Sequence, residues 1–515
     1  MSHPVERFRK RRESIRSELG GAERVEALRG AGRRNVRERL AAFVDSGSFE
    51  ELGTFARSGN PADADSTPGD GKVGGHATVD GRPVTVAGDD ITVKRASSSQ
   101  VGSRKLLRLY EQALRMGQPF VYFGETGGAR IPDTLGAEGF VQVPPLPALA
   151  LRQRRIPMAT AIVGESFGGS SFLSALSDFV VQVRGSCLAV TSPRVIEVAT
   201  GERIDMEALG GVDVHARVTG QVDVTVDTED AAFAVIRQFL SYLPSNAWTP
   251  PPRGPAADAL EPDEQLLSLV PERRRRAYDM RAVLRRLVDG GTFLELRPHL
   301  GRGLLTVLAR MDGGPVGIIA SQPLYLAGSL DPDACDKATR LLCLCDAFGL
   351  PVIFLQDTPG FLVGTRVEHS RLLYKAMLFQ QALSLARVPR LTVVLRKAFG
   401  LAFFSLGGSD MGSDLLCAWP GAEIGFMDPE VAANVLFGPR LEGLGPEQRR
   451  EQLQQLAGQI SANTEPYGAA GILKLDEIID PVDTRGVLVR HLRRLAGTPF
   501  RPGHERPLAS WPTCW

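Results

Sequence analysis

The sequence has no long apolar run, few cysteines and almost no net charge. No stretch of its 515 residues approaches the roughly eighteen apolar residues that a membrane-spanning helix needs. Sixty Lys and Arg residues stand against 59 Asp and Glu residues, which leaves a formal net charge of +1. A chain without excess charge has no broad field that would attract nucleic acid or an anionic membrane. We therefore expect neither of these partners.

The cysteines and the first residues predict a cellular location. The segment 1–19 mixes arginines with glutamates and has no apolar stretch, unlike a secretory signal peptide. The six cysteines, at positions 187, 335, 343, 345, 417 and 514, show neither the CxxC pairs of a zinc site nor the density of a secreted disulfide scaffold. The sequence predicts a cytoplasmic protein with no metal in this chain.

The sequence contains an internal duplication of one unit. Eleven residues recur at a constant step of 232, as Asp312 follows Asp80. A constant step over about a hundred residues indicates duplication, and it is far too long for a solenoid or propeller repeat. The pairs are Asp80/Asp312, Gly81/Gly313, Pro83/Pro315, Val84/Val316, Gly117/Gly349, Pro119/Pro351, Thr126/Thr358, Gly128/Gly360, Phe167/Phe399, Gly168/Gly400 and Asp178/Asp410.

Segments rich in turn residues and proline predict where the two domains lie. Residues 1–45 have a helical apolar stripe, and 58–75 are rich in turn residues and predict a loop. A proline-rich run between the copies predicts a stiff, exposed linker. We place one domain at 1–249, the linker at 250–265 and a second domain at 266–515.

Within each copy, short β-branched runs alternate with helical stretches. This pattern predicts crossover units on a mostly parallel sheet, and thus an α/β fold. The predicted elements are Val84–Val86, Ser103–Met116, Phe120–Phe123, Pro144–Arg154, Ala159–Val163 and a helix from Gly168, then Val316–Ala320, Ala334–Phe348, Val352–Leu355, Arg371–Ala386, Leu391–Leu395 and a helix from Gly400.

A glycine turn follows the third strand of each copy, at Gly168 and at Gly400. The first N–H groups of a helix have no internal partner, so they can bind an anion or a developing oxyanion. Two such turns predict two oxyanion holes, in which each donor stabilises a transition state by about 3 kcal/mol. The structural alternative is that these glycines only allow close packing of helix on strand.

Three other features have both a functional and a structural interpretation. The segment Gly164–Gly168 fits Gly-x-Ser-x-Gly, which would make Ser166 a hydrolase nucleophile with Asp178 and His215 as partners. Isolated histidines favour structural or surface roles; these are His215, His299 and His369. The run Arg273–Arg276 is typical of a solvated helix face, with phosphate or an acidic partner as the alternative ligand.

Short motifs over nearly the whole chain resemble one family. They run from Arg37–Leu40 and Gly47–Glu51 to Ile479–Pro481 and Thr484–Arg485. The other matching segments are Thr126–Ile131, Thr200–Glu202, Leu209–Gly211, Leu240–Asn246, Asp346–Phe348, Pro359–Phe361 and Asn434–Val435. Together they resemble the carboxyltransferase (β) subunits of biotin-dependent acyl-CoA carboxylases, of the propionyl-CoA carboxylase type.

The resemblance implies two tandem crotonase-like domains with ββα-superhelix folds, related by the duplication. It also implies a homohexamer, a trimer of dimers, in which the first domain of one subunit and the second domain of another form each site. Carboxybiotin would release CO2, the biotin ureido nitrogen would act as base on the α-carbon of an acyl-CoA thioester, and the enolate would capture CO2.

Site residues follow from the same resemblance. The turn of Gly168, Gly169 and Ser170 would bind the thioester carbonyl, and that of Gly400, Leu401 and Ala402 the ureido oxygen; the reverse assignment stays open. Substrate contacts are implied for Gly127, Gly128, Ala129, Arg130, Thr191 and Phe404. Cofactor contacts are implied for Pro359, Gly360, Phe361 and Asn434.

Departures from the family pattern keep alternatives open. Ala96–Ser99 replaces a Gly-Ser-Leu-Gly type segment, Leu401 a glycine and Phe404 an aspartate, so the acyl group and its carrier, CoA or acyl carrier protein, are undecided. No Met-Lys-Met biotinylation site and no ATP-binding glycine loop occur. We expect biotin and its carboxylase on a separate partner protein. The alternatives are a malonyl- or methylmalonyl-thioester decarboxylase, possibly biotin-independent, and an inactive scaffold of a carboxylase assembly.

Overall fold

The chain divides into two compact units. The computed structural model describes residues 3–142, 153–255, 260–273, 275–496 and 506–512. One unit comprises Met1–Thr249 with Ser510–Trp515, and the other Pro250–Ala509. The return of the chain to the first unit differs from the predicted boundaries. Its physical reason is that the buried Arg154 donates to the carbonyl oxygens of Trp511 (2.5 Å) and Pro512 (3.1 Å).

The first unit is built on a mostly parallel sheet. Among the described residues it has eight strands in the order β1-β2-β3-β4-β5-β6-β8, with β7 beside β5. The first two pairings along this path are antiparallel and the rest are parallel. The strands are β1 Glu50–Glu51, β2 Lys72–Val79, β3 Arg82–Asp89, β4 Phe120–Thr126, β5 Met158–Phe167, β6 Phe179–Val183, β7 Cys187–Ala189 and β8 Val224–Val226.

The second unit repeats this sheet. Within the described ranges, its eight strands run β9-β10-β11-β12-β13-β14-β16, with β15 beside β13. Again the first two pairings are antiparallel and the rest parallel. The strands are β9 Phe293–Leu296, β10 Leu304–Met311, β11 Gly314–Ser321, β12 Val352–Thr358, β13 Arg390–Phe399, β14 Leu415–Ala418, β15 Glu423–Gly425 and β16 Glu477–Ile478. The predicted α/β class is confirmed.

Helices connect the strands in both units. In the first they are Pro4–Glu18, Ala22–Gly30, Val36–Phe43, Gln100–Met116, Ile131–Thr134, Gly136–Val141, Gly169–Ala175, Pro193–Thr200, Met206–Gly210, Val212–Val214 and Glu229–Tyr242. In the second they are Gln265–Leu269, Met280–Leu287, Pro332–Phe348, Thr365–His369, Leu372–Leu385, Leu401–Ser405, Pro429–Phe437, Pro446–Ser461, Pro466–Gly471 and Thr484–Leu495. No helix in the described ranges is long and apolar enough to cross a membrane.

The duplication is visible in the element bounds. Strands β2 to β5 recur as β10 to β13, each with both ends 232 residues later, and the helix Gln100–Met116 recurs in the same way as Pro332–Phe348. After the second glycine turn the step becomes 236, since β14 begins at Leu415 and β6 at Phe179. The second copy therefore has four additional residues between its turn and β14.

This shift corrects one predicted pair, Asp178 with Asp410. Asp178 Oδ2 accepts a hydrogen bond from Met158 N at 3.0 Å, and Asp414 Oδ2 accepts one from Arg390 N at 2.8 Å. Met158 and Arg390 open equivalent strands, so Asp414 is the structural counterpart. Asp410 instead forms an exposed ion pair with Lys474.

Three other predicted segments differ from the structure. The helix predicted over 1–45 is three helices, of which the third, Val36–Phe43, begins at a capping box of Asn35 and Glu38. The loop predicted over 58–75 ends earlier, because β2 already begins at Lys72. A side chain at Gly75 would lie 1.9 Å from Glu50 O, so glycine allows β1 to approach. Most of the helix predicted over 144–154 lies outside the described residues.

The predicted linker, 250–265, is held by the second unit. Gly254 N donates to Gly313 O at 2.8 Å, and Arg310 Nη1 donates to Pro252 O at 2.8 Å. Leu260 packs against the apolar core of this unit. The segment of Pro252 and Gly254 therefore lies against the turn between β10 and β11 and is not a free spacer.

Both long helices bury a lysine at equivalent positions. Lys105 Nζ donates to Lys72 O (2.6 Å) and Gly53 O (3.0 Å), and Lys337 Nζ donates to Leu300 O (2.9 Å). Burial lowers the pKa of Lys105 to about 8 and that of Lys337 to about 7. Each lysine ties its helix to the segment that leads into its sheet.

Candidate active site

The first turn follows β5 in the first unit. Gly168 has φ 64° and ψ −119°, a left-handed conformation that favours glycine, and the helix Gly169–Ala175 begins after it. Gly168 N donates to Val190 O at 3.1 Å, and Phe172 N donates to Gly168 O at 3.0 Å. The N–H groups of Gly169 and Ser170 therefore precede the first intrahelical hydrogen bond. The backbone offers donors at this turn, as predicted.

The glycine-rich loop after β4 lies beside this turn. Ser98 pairs with Ala129 in a parallel bridge: Ser98 N donates to Gly128 O and Arg130 N to Ser98 O, both at 2.8 Å. A side chain at Gly169 would lie 2.9 Å from Ser98 Oγ, and one at Gly168 would lie 4.0 Å from Gly128 Cα. The structure thus brings the predicted residues Gly127–Ala129 together with the turn.

Two other residues predicted for the substrate have different surroundings. The Arg130 side chain is buried, with Nη1 2.5 Å from Asp70 Oδ1 and Nη2 3.2 Å from Ser97 O. Its guanidinium is thus engaged inside the protein and holds the loop. Thr191 follows Val190, whose carbonyl accepts from Gly168, so Thr191 lies at the turn.

The second turn has the same construction in the second unit. Gly400 has φ 61° and ψ −151° after β13, and Gly400 N donates to Gly425 O at 3.0 Å. Leu330 N donates to Gly360 O at 3.1 Å, in a bridge to Phe361 that matches the one between Ser98 and Ala129. The predicted residues Pro359–Phe361 therefore lie beside the second turn in the same way as Gly127–Ala129 lie beside the first.

Leu401 fits this turn without backbone strain because it is the first residue of the helix Leu401–Ser405. Phe404 is exposed, as is its counterpart Phe172 in the first copy, and its ring centroid lies 5.1 Å from that of Phe403. Phe404, predicted for the substrate, thus belongs to the second turn. Both helices are short, so the N–H groups themselves, more than a helix dipole, are what each turn offers.

A cavity of about 520 Å³ lies at the start of the loop Pro359–Phe361, and Gly400, Leu401 and Ala402 are not among the residues that line it. Pro359 lines it, whereas Asn434, also predicted for the cofactor, lines a neighbouring cavity of about 770 Å³. The side chain of Asn434 donates to Glu430 O of its own helix at 2.9 Å. The first cavity is lined by Arg275, Arg276, Ala277, Pro323, Leu324, Ala327, Pro359, Arg396, Lys397, Asp428 and Glu430.

Arg396 holds the basic run at the edge of this cavity. Its Nη1 donates to the carbonyl oxygens of Pro271 (3.0 Å), Arg273 (3.1 Å) and Arg276 (3.0 Å), and its Nε to Asp357 at 3.0 Å. The sequence suggested a helix face for this run. Its described part is instead a non-helical segment that Arg396 holds to β13. Sequence reasoning missed Arg396, although the contrast with Gly164 in the first copy was available as a signal.

The hydrolase hypothesis is wrong on geometry. Ser166 is fully buried inside β5, two residues before the turn, and its Oγ shares a hydrogen bond with Ser170 Oγ. His215 has Nδ1 2.8 Å from Thr219 Oγ1 and Nε2 2.6 Å from Leu188 O, and burial lowers its pKa. Both ring nitrogens of His215 are thus hydrogen-bonded to groups other than Ser166. No group of three or more potential metal ligands was found among the described residues.

Comparisons with known proteins give one consistent result. The family described as "Carboxyl transferase domain" matches residues 28–506. The chain is 35% identical over 505 residues to the methylmalonyl-CoA carboxyltransferase 12S subunit of Propionibacterium freudenreichii subsp. shermanii, covering 96% of this chain and 95% of that protein. It is 37% identical over 513 residues to the propionyl-CoA carboxylase beta chain of Saccharopolyspora erythraea, with 95% and 92% covered.

A third relative and a solved structure complete the comparison. The methylmalonyl-CoA decarboxylase subunit alpha of Veillonella parvula is 35% identical over 485 residues, 93% of each chain. A crystal structure of transcarboxylase 12S, a hexamer with methylmalonyl-coenzyme A and methylmalonic acid bound, has a TM-score of 0.89 and 34% identity over 98% of each chain. The predicted pair of crotonase-like domains is confirmed by this likeness.

Proposed function

The chain belongs to the family of carboxyl transferase domains, and from this premise we propose that it is the carboxyltransferase subunit of a biotin-dependent acyl-CoA carboxylase. In this function CO2 moves between carboxybiotin and the α-carbon of an acyl-CoA thioester. The single observation that carries the proposal is the pair of turns, in which the same arrangement of backbone donors occurs once in each copy.

The first turn would stabilise the substrate. The N–H groups of Gly169 and Ser170 donate to the thioester oxygen as negative charge develops on it in the enolate, and such preorganised donors lower the barrier to reaction. Gly127–Ala129 line the same place and allow close approach of the acyl chain, because glycine adds no side chain. No side chain of this turn has to act as a base.

The second turn would hold the cofactor. Its N–H donors, at Leu401 and Ala402, fit an oxygen that gains negative charge, and the cavity beside Pro359 has a volume common for small-ligand sites. When bound, carboxybiotin would supply CO2 and a ureido nitrogen able to accept the α-proton, and the N–H groups of Leu401 and Ala402 would hold its ureido oxygen. The assignment of thioester to the first copy and biotin to the second is part of the proposal.

Malonyl-CoA and methylmalonyl-CoA, each with and without free biotin, test this function. We expect the purified protein to form acetyl-CoA or propionyl-CoA only when biotin is present, as the reverse of carboxylation. Product formed equally well without biotin would indicate the decarboxylase function, which the similarity to the Veillonella parvula subunit favours as the second candidate. No product from either thioester would contradict both functions for these two substrates.

The proposal includes partners and an assembly. Biotin would arrive on a separate carrier, loaded by a biotin carboxylase subunit, and the chain would form a homohexamer, as transcarboxylase 12S does. A cytoplasmic location stays a prediction from the cysteine pattern. We further propose that each site takes its two turns from different subunits, as the family resemblance implies.

Subunit mixing tests that assembly. Variants with an inactivated first turn, Gly169→Pro, and an inactivated second turn, Leu401→Pro, are expressed together. If the turns of one site come from different subunits, about a quarter of the sites in randomly mixed oligomers regain both intact turns. The mixture should then be active while each variant alone is not. A mixture no more active than its parents would contradict the shared site.

A further inference from the structure

A chain of buried polar side chains lies beneath the first turn. Ser166 Oγ shares a hydrogen bond with Ser170 Oγ, and Ser170 lies next to the Tyr122 ring, because a side chain at Gly124 would lie 3.5 Å from Ser170 Cβ and 3.3 Å from Tyr122 Cε1. The Tyr122 hydroxyl donates to Asp89 Oδ2 at 2.6 Å, and Asp89 forms an ion pair with Lys72. All five side chains are nearly excluded from solvent. The chain thus runs from an ion pair in the core to the second residue of the helix.

Asp89 also connects this chain to the two loops beside the turn. Glu125 N, near the end of β4, donates to Asp89 Oδ2 at 2.9 Å. Lys72 Nζ donates to Ala96 O at 3.1 Å, and Thr126 Oγ1 donates to the same carbonyl at 2.9 Å. One carboxylate therefore links the loop of Ala96, the start of the glycine-rich loop and the turn at Ser170.

The second copy builds its turn without this chain. With the copies aligned at the step of 232, the five positions are occupied by Leu304, Ser321, Phe354, Ala398 and Ala402. Gly400 nevertheless has the positive φ of Gly168, and its N–H donates to Gly425 O as that of Gly168 donates to Val190 O, although Gly400 O accepts from Phe403 N and Gly168 O from Phe172 N. The polar chain is thus not required to fold such a turn. A buried polar group is costly unless it is fully paired, so its presence in one copy only indicates a task specific to that copy.

We propose that Tyr122 and Asp89 are positioning residues of the first turn, which hold Ser170 and the neighbouring N–H donors in the orientation that binds the thioester oxygen. This inference rests on the proposed function of that turn. Donors contribute most when their orientation is fixed before the reaction, because no reorganisation is then needed as charge develops. Burial, and next to it the Asp89 carboxylate, raise the pKa of Tyr122 well above its ordinary value, so its hydroxyl stays protonated.

Tyr122→Phe tests the proposal, with Tyr110→Phe as its matched control. Tyr110 is also buried and belongs to the same apolar cluster, but it packs edge-on against Phe120, with ring centroids 5.8 Å apart. We expect Tyr122→Phe to lower kcat roughly five- to thirtyfold, the effect of losing one or two buried hydrogen bonds. KM for the acyl-CoA should change little, because the donors act mainly on the transition state. Tyr110→Phe should keep both constants.

Amide hydrogen exchange gives a readout that does not depend on activity. In Tyr122→Phe the amides of residues 168–172 should exchange faster than in the wild type, by more than the loss of a buried hydrogen bond lowers global stability, and in Tyr110→Phe they should not. Ser170→Ala removes the same link with little risk to folding, since Ala402 occupies the equivalent place. Both single variants and the double variant should then lose kcat to the same extent, because they interrupt one chain.

The outcomes separate the two proposals. Unchanged exchange at the turn, or additive losses of kcat in the double variant, would overturn the positioning role. A wild type that is inactive on every thioester, while the exchange of the turn still depends on Tyr122, would overturn the proposed function and keep the positioning role. A lower kcat explained fully by a lower folded fraction would make Tyr122 a structural residue only.

Discussion

The most direct perturbation of the candidate site is removal of one backbone N–H by Gly169→Pro. Gly169 is the first residue of its helix, where proline is favoured and where its N–H makes no intrahelical bond. An added side chain would approach only Ser98 Oγ, at 2.9 Å, and a hydroxyl can rotate away. The change should therefore delete a donor and keep the fold.

The magnitude follows from the number of donors. The first turn offers the N–H groups of Gly169 and Ser170, so the variant retains one of two. Loss of one oxyanion donor costs about 3 to 4 kcal/mol, which lowers kcat about 100- to 1,000-fold. The assay is the biotin-dependent conversion of malonyl-CoA or methylmalonyl-CoA, measured with the unfolding midpoint of each variant.

Two variants make the comparison decisive. Gly169→Ala adds the same contact with Ser98 but keeps the N–H, and it should stay within about tenfold of wild type if the donor is what matters. Ala22→Pro removes the N–H of the first residue of an exposed helix elsewhere in the same unit and should be neutral. Equal kcat for Gly169→Pro and Gly169→Ala would refute the reasoning, because the loss would then be steric.

Three further predictions concern single side chains. Ser166→Ala should leave kcat within about twofold of wild type, since Ser170 keeps its place beside Tyr122; complete loss of activity would revive the hydrolase hypothesis. Arg130→Met leaves Asp70 buried without its cation and should cost about 3 to 5 kcal/mol in urea unfolding; a higher KM at unchanged stability would instead support a substrate contact. For Lys337, the folded pKa is about 7 and the ordinary value is 10.5, so the unfolded chain binds more protons between these values and the free energy of unfolding rises with pH. Lys337→Met should reduce this rise by on the order of 1 kcal/mol per pH unit between pH 7 and 9, and an equal rise in both proteins would show that Lys337 titrates normally.

Much of the fold could be predicted because its signals are local. Apolar runs such as Val352–Leu355 indicated strands, and the glycines at 168 and 400 indicated turns, since each pattern follows from backbone and burial alone. The predicted elements were generally shorter than the observed ones, as for Ala159–Val163 within the strand Met158–Phe167. Strand ends depend on neighbouring strands, which the sequence does not display.

What the sequence could not provide are contacts between distant residues. The predicted linker has the composition of a free spacer, yet hydrogen bonds of Pro252 O with Arg310 and of Gly254 N with Gly313 hold this segment to a sheet. Arg130 matched a substrate motif, but its partner Asp70 is 60 positions away in the chain. The chain beneath the first turn joins Lys72 to Ser170 across three strands. Such pairings depend on tertiary structure, so periodicity and spacing do not reveal them.

The hydrogen bonds from Arg154 to Trp511 and Pro512 have a consequence for biosynthesis. In topological terms the second unit is an insertion into the first, since residues on both sides of it belong to one compact body. During synthesis the hydrogen bonds of Arg154 to Trp511 and Pro512 cannot form until the residues of the second unit have been made. The half that emerges first from the ribosome therefore gains these contacts only after the other half has been synthesised.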